Sequence, residues 1–357
     1  MARASLSRMT TLTRALGLSL LLIAALAAGP RAERRIVTVH IVSRAGDTAV
    51  PTDRPKHALA SDSVTLYAVL AVREAGRLQY YGNVPSAVIA GRPRTLQPLD
   101  RAPDALLSWY KVEPRVESMS NTQSGSFQFE PIDYAETPVP NWQLAAEVIA
   151  DVSPTLTPNR GNGLGTMRYK LIALTASGAI STPGAEARQG RGSGGLSDDV
   201  HRVSLRRDDS YLGYLTEMYG QPYIWASAGL TDARHQSERL EGSDCADFVV
   251  YGRRRMGEPI PYTWTGGLPK YTRRLARAMP RQDGTYVDQD GRPIAFPQPG
   301  DLVLFPRHVG VLTSDRGIPG RLDHQDVMFH SYFASPREQS LGDSAYANTW
   351  IEVRQWQ

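Results

Sequence analysis

From Arg35 to about Thr182 the apolar residues recur with period two. Ile36, Val37, Val39 and Ile41 open the pattern, and Val64 to Val72 is a long run of β-branched and aromatic residues. Leu106–Val112, Ser126–Phe129, Gln143–Ile149 and Met167–Leu174 repeat it, separated by Pro, Gly, Asn and Asp clusters. Alternation in short segments bounded by turn residues predicts strands, and many such strands predict an all-β sandwich. Trp109 on a central strand, and Tyr169 two residues before Leu171, fit an immunoglobulin-like layout. The paired cysteines of that layout are missing, so another sandwich topology stays open. Gly184 to Gly195 has no apolar period and reads as a flexible linker.

Beyond Asp198 the period changes. Asp208 to Tyr219 carries Tyr211, Leu212, Leu215, Met218 and Tyr219 on one helical stripe and stops at Gly220. A second helix begins at Cys245 and ends near Arg253–Arg255, with Gly257 as its C-cap. Leu268 to Met279 predicts a third, with Leu268, Tyr271, Leu275 and Met279 inward. After Pro299-Gly300 three strand-like runs follow at Asp301–Phe305, His308–Thr313 and Asp326–Phe333. Helices first and antiparallel strands afterwards predict an α+β domain. The expected division is a leader over 1–28, a β-sandwich over 35–182, a Gly-rich linker over 183–198 and an α+β domain over 199–357.

The leader is read from three features. Arg3, Arg8 and Arg14 precede an unbroken run of Ala, Leu, Gly, Ser and Ile from Ala15 to Ala28. Ala25-Leu26-Ala27 is a small-x-small cleavage site near Ala27. That build predicts an exported chain, periplasmic or secreted. The run is too short to span a bilayer, which needs about 20 apolar residues, so no transmembrane anchor is expected. Three units of the formal net charge of +4 lie in the leader arginines, so the high isoelectric point gives no case for nucleic acid.

The chain has one cysteine, Cys245, in Ser-Asp-Cys-Ala-Asp-Phe. A lone thiol forms no internal disulfide. At a helix start the dipole and free N–H groups favour its thiolate. Asp244 is placed to cap the helix, and Asp247 falls in its first turn. Both acids oppose a low thiol pKa, so a cationic histidine partner is required for an ionised pair. His308 starts a strand and His330 lies inside an apolar one, where a buried imidazole needs a partner. His324, Asp326 and His330 have no usual zinc spacing, and no metal or cofactor is expected. Lys270, Arg273, Arg274, Arg277 and Arg281 read as a solvated helix face.

Five segments in order resemble NlpC-type cell-wall peptidases. They are Gln-Pro-Tyr-Ile-Trp (221–225), Asp-Cys-Ala-Asp-Phe (244–248), Pro-Gly-Asp-Leu-Val-Leu-Phe (299–305), His-Val-Gly-Val-Leu (308–312) and Val-Met-Phe-His (327–330). The resemblance spans 208–357 and implies a papain-like fold. It implies Cys245 as nucleophile, His308 as base, His330 as the group orienting the base, and Tyr223 beside the cysteine as an oxyanion or substrate contact. It further implies cleavage of an amide in peptidoglycan stem peptides, with those peptides or an envelope protein as partner. Acyl transfer, or binding without turnover, are the competing classes. The sequence departs from the family at Ala226-Ser227 and Ala246-Asp247, where Gly-Gly and Ser-Gly are common. Residues 226–243 look inserted, and the strand after His308 runs into Ser314-Asp315 where the family often has glycine.

Overall fold

The computed structural model describes residues 34–46, 49–123, 126–189 and 194–357. The leader read at 1–28 and the middle of the linker, 190–193, lie outside the described residues. The first half is built on two large sheets. One orders the strands Arg35–Ala45, Val64–Glu74, Arg77–Gly82, Arg92–Pro98 and Ser86–Ile89, with Glu147–Ile149 also pairing Val64–Glu74. The other orders Tyr134–Pro138, Leu106–Pro114, Gly165–Thr175, His201–Arg206 and Lys56–Leu59. Alternate residues of both sheets share one core around Leu66, Trp109, Tyr169 and Leu171. Trp109 Nε1 donates to Ala145 O at 2.8 Å, and the Tyr169 hydroxyl donates to Asp151 O at 2.9 Å, so neither buried polar tip is orphaned.

The second sheet continues past the linker. His201–Arg206 pairs antiparallel with Gly165–Thr175 and parallel with Lys56–Leu59. The described parts of the linker are tied down, with Ala185 N–H donating to Glu136 and Arg188 bridging to Leu196.

The remainder is not an α+β papain-like domain. Among the described residues strand accounts for 42% and helix for 10%, with only two short α-helices, and the sheets curl into a half-barrel. Tyr211–Leu215 is a helix of little more than one turn, capped by Ser210. It tightens into a 3₁₀ turn at Thr216–Met218 and ends at Gly220, whose φ of +77° suits only glycine readily. Cys245–Arg255 is the longer helix. The expected third helix is a strand, Thr272–Pro280, paired with Ile351–Trp356. Its apolar spacing looks helical because a register shift between Arg274 and Ala276 breaks the period of two. Ala278 faces the core, while Leu275 and Met279 are exposed. The basic run therefore lies on a strand, with Arg274 paired to Glu352 and Arg277 stacked over Trp350.

A seven-stranded antiparallel sheet forms the floor of this half. Its order is Tyr286–Val287, Thr272–Pro280, Ile351–Trp356, Leu302–Leu304, Val309–Ser314, Val327–His330 and Arg337–Ser340. The Cys245 helix packs on it through Phe248 and Val249, against Val309, Val311 and Phe329. Among the described residues no helix is long and apolar enough to cross a membrane.

Candidate active site

The register Val311↔Phe329 sets the start of one strand beside the end of the next. His308 and His330 therefore meet at the same end of the sheet, although 22 residues apart. His308 Nε2 lies 2.7 Å from His330 Nδ1. His330 Nε2 lies 3.0 Å from Gln339 Oε1. The Gln339 amide is oriented by its own nitrogen, which donates to Asp343 O at 2.8 Å. Proton positions follow from this chain of bonds. Gln339 Oε1 accepts, so His330 carries its proton on Nε2. His330 Nδ1 then accepts, so His308 carries its proton on Nε2. His308 Nδ1 is left as a lone pair, buried and without a hydrogen-bond partner.

Cys245 occupies the first position of its helix. Asp244 Oδ1 accepts the N–H groups of Ala246 and Asp247, each at 2.9 Å, which fixes the helix start. The thiol is 7% exposed. The backbone N–H of Val309, the residue after His308, bonds toward it, as does its own N–H. The Cys245 helix and the His308 strand thus meet at the sulfur. The aromatic shell is dense. Tyr332 lies 4.7 Å from the His308 ring, and Tyr346 stacks on it at 5.3 Å and 10°. Tyr223 is buried in the same shell, with its ring 5.0 Å from Phe333. Burial raises its hydroxyl and that of Tyr346 well above the ordinary value, and a thiolate at Cys245 would raise both further.

The electrostatics favour neutral groups at rest. Burial pushes the Cys245 thiol up, and the charges of Asp244 and Asp247 push it further than the two N–H groups bring it down. Burial holds His308 well below its ordinary value, with His330 and Arg337 adding to the effect. Burial and Arg337 hold His330 down to about 4, against the Gln339 bond. Burial raises Asp244 to about 6 despite two backbone donors. Thiol and imidazole are therefore both neutral at rest, in place of the ion pair that an acidic thiol would require.

Every residue singled out in the sequence lies in this region or has a separate task. Cys245, His308, His330 and Tyr223 gather at one place. His324 instead bonds Ala347 O, and Asp326 accepts from the backbone of Arg316 and Asp323. Gln339, Tyr332 and Tyr346 carried no motif and were missed. Gln339 orients the imidazoles from a neighbouring strand, which only pairing discloses. The Ala226 departure also has a local reading: its φ is +56°, a conformation that glycine adopts freely and alanine adopts only at a cost. Comparison with family models, with curated proteins and with solved structures returned no match for this chain.

Proposed function

We propose that this protein is a thiol hydrolase that cleaves an amide bond through an acyl-enzyme. The observation that carries this reading is the proton arrangement at His308. A buried imidazole has one nitrogen bonded to His330 and the other left as a bare lone pair, next to the residue whose N–H faces the only cysteine. An orphaned buried acceptor is costly in a purely structural histidine.

In the first step Cys245 Sγ attacks the substrate carbonyl carbon while its proton passes to His308 Nδ1. The Cys245 backbone N–H, at the helix N-terminus, and Tyr223 stabilise the developing oxyanion. Collapse breaks the C–N bond, and the proton on His308 Nδ1 leaves with the amine. A water then gives its proton to the same nitrogen and attacks the thioester, which releases a carboxylic acid and the free thiol. His330 and Gln339 keep the imidazole in the tautomer that can accept at Nδ1 throughout. Because thiol and imidazole are neutral at rest, proton transfer accompanies attack.

The order of the five segments, as in NlpC-type peptidases, supports peptidoglycan stem peptides as the substrate class. The test is incubation of wild type, Cys245→Ala and His308→Ala with muropeptides, followed by mass spectrometry. Wild type is expected to release a new amine and carboxylate, with both variants at least about 100-fold slower. Products carrying an exchanged amine would identify a transferase. An inert wild type would refute turnover and leave a binding protein.

A further inference from the structure

The hairpin loop beside the Cys245 segment carries a strained aromatic residue. Residues 331–336 connect Val327–His330 to Arg337–Ser340. The loop is pinned at its start, where the Ser331 hydroxyl donates to Ser243 O at 3.3 Å. Tyr332 packs inward on His308, and Ala334 and Ser335 are buried. Phe333, between them, points outward: it is 59% exposed, and its φ is +47°. That backbone conformation costs a bulky residue free energy that glycine avoids. With most of the ring in water, little burial offsets the cost. Glycine would make the same turn without strain, so the stability of the fold does not explain a phenylalanine here.

The ring's neighbours belong to the candidate active site. Phe333 lies 5.0 Å from the ring of Tyr223, which sits by the thiol, and 4.7 Å from that of Tyr332, which lies against His308. Trp225 is two residues beyond Tyr223 on the strand Tyr223–Trp225, so both face one side. It is 50% exposed, and Ala226 after it has a φ of +56°. Two exposed aromatics, each at or beside a left-handed residue that is not glycine, thus flank Tyr223. Apolar rings around a few convergent polar groups are the usual lining of a substrate pocket.

We infer that Phe333, with Trp225 beside it, forms an apolar subsite that takes an aliphatic side chain of the substrate next to the scissile amide. The strained backbone is kept because it turns the ring outward, where the substrate and not the fold covers it. This rests on Cys245 being the reactive group. The preferred substrate is then a peptide with an apolar residue flanking the bond that is cut. A charged residue in its place would leave both rings wet.

The test compares iodoacetamide with N-butyl iodoacetamide on the folded protein, each rate divided by that reagent's rate on free glutathione. Both reagents meet the same thiol, so its pKa cancels from the ratio. Wild type is expected to favour the butyl reagent by about 4- to 15-fold, the packing of one or two methylenes. Phe333→Ala and Phe333→Gly should bring the ratio back to about one, while Phe333→Leu keeps most of the preference. Phe333→Gly should also melt above Phe333→Ala, because only glycine relieves the left-handed backbone. Leu144→Gly is the control. Leu144 is exposed with a φ of +66° but bonds Leu107 in the sandwich, so this variant should keep the wild-type ratio. A preference absent from wild type, or unchanged in Phe333→Ala, overturns the subsite. If Phe333→Ala and Phe333→Gly both fail to fold, the ring serves the fold and the subsite is refuted. Muropeptide turnover is scored separately. An inert wild type with a Phe333-dependent preference refutes hydrolysis and leaves the subsite, and an active enzyme without that preference does the reverse.

Discussion

Glu217→Gln is the sharpest stability test, because Glu217 joins the Cys245 helix to the first half of the chain. Glu217 has no exposed side-chain surface. It meets His57 at 3.2 Å, Arg255 at 3.0 Å and Arg206 at 3.6 Å, and it accepts from the Tyr251 hydroxyl of the Cys245 helix. Burial would raise its pKa, but His57, Arg255 and Tyr251 together bring it from 4.5 down to about 2. A depressed acid contributes stability that is fully present above the unfolded value and is lost as pH falls through the folded one. Here the window runs from 4.5 down to about 2. At about 1.4 kcal/mol per pKa unit, the charge is worth roughly 3 kcal/mol at neutral pH. Breaking such a buried network leaves Arg255 without its carboxylate, while Arg206 keeps Asp209, and removing one partner of a buried pair typically costs about 3–5 kcal/mol. Urea unfolding at pH 7 should therefore show the Gln variant about 3 kcal/mol less stable than wild type. At pH 3 wild type has already lost most of that term, and the gap should shrink to roughly 1–2 kcal/mol. A variant within about 0.5 kcal/mol of wild type at pH 7, or a gap unchanged by pH, would refute the account.

Two further outcomes follow from the same reasoning. Gln339→Glu places a carboxylate against His330 Nε2–H, which raises the affinity of both imidazoles for a proton. Iodoacetamide labelling of Cys245 at pH 6.5 should then be several-fold faster than in wild type; an equal or slower rate would break the inferred chain from Gln339 to the thiol. His201 is buried between Ser43 Oγ at 3.0 Å and Asp53 O at 3.2 Å, and burial lowers it to about 4. A depressed histidine destabilises the fold as pH drops below the unfolded value near 6.5, because only the unfolded chain takes the proton. His201→Gln should flatten the fall of melting temperature between pH 6.5 and 4.5, a term of up to about 3 kcal/mol, and an identical slope in the variant would count against it.

The neutral resting pair bears on how the site would work. Thiolate formation is opposed by burial and by two carboxylates, so the thiol is quiet until a substrate carbonyl arrives. In the resting site the neighbouring N–H groups of Cys245 and Val309 favour the charged sulfur. That arrangement protects an isolated cysteine from oxidation, since the thiolate is the reactive form.

What the sequence determined by itself was local. Asp244 caps the Cys245 helix because its side chain needs only the next two or three N–H groups. Gly220 ends the first helical segment because one residue must turn left-handed. The strands Val64–Glu74 and Gly165–Thr175 form where β-branched alternation is strong. The placing of Cys245, His308, His330 and Tyr223 in one region was legible only as an order of segments. The tertiary structure decided the rest. Residues 272–280 have helical apolar spacing, yet they pair along Ile351–Trp356, a partner some 75 residues away that no local rule weighs. His201–Arg206 joins the second sheet of the first half for the same reason. Gln339 reaches His330 only because Arg337–Ser340 pairs with Val327–His330. The contact of Ser227 with Asp247 links positions that looked like separate losses of glycine. Periodicity and capping act over a few residues, whereas sheet register joins distant ones, and the protonation of His308 is set by that register.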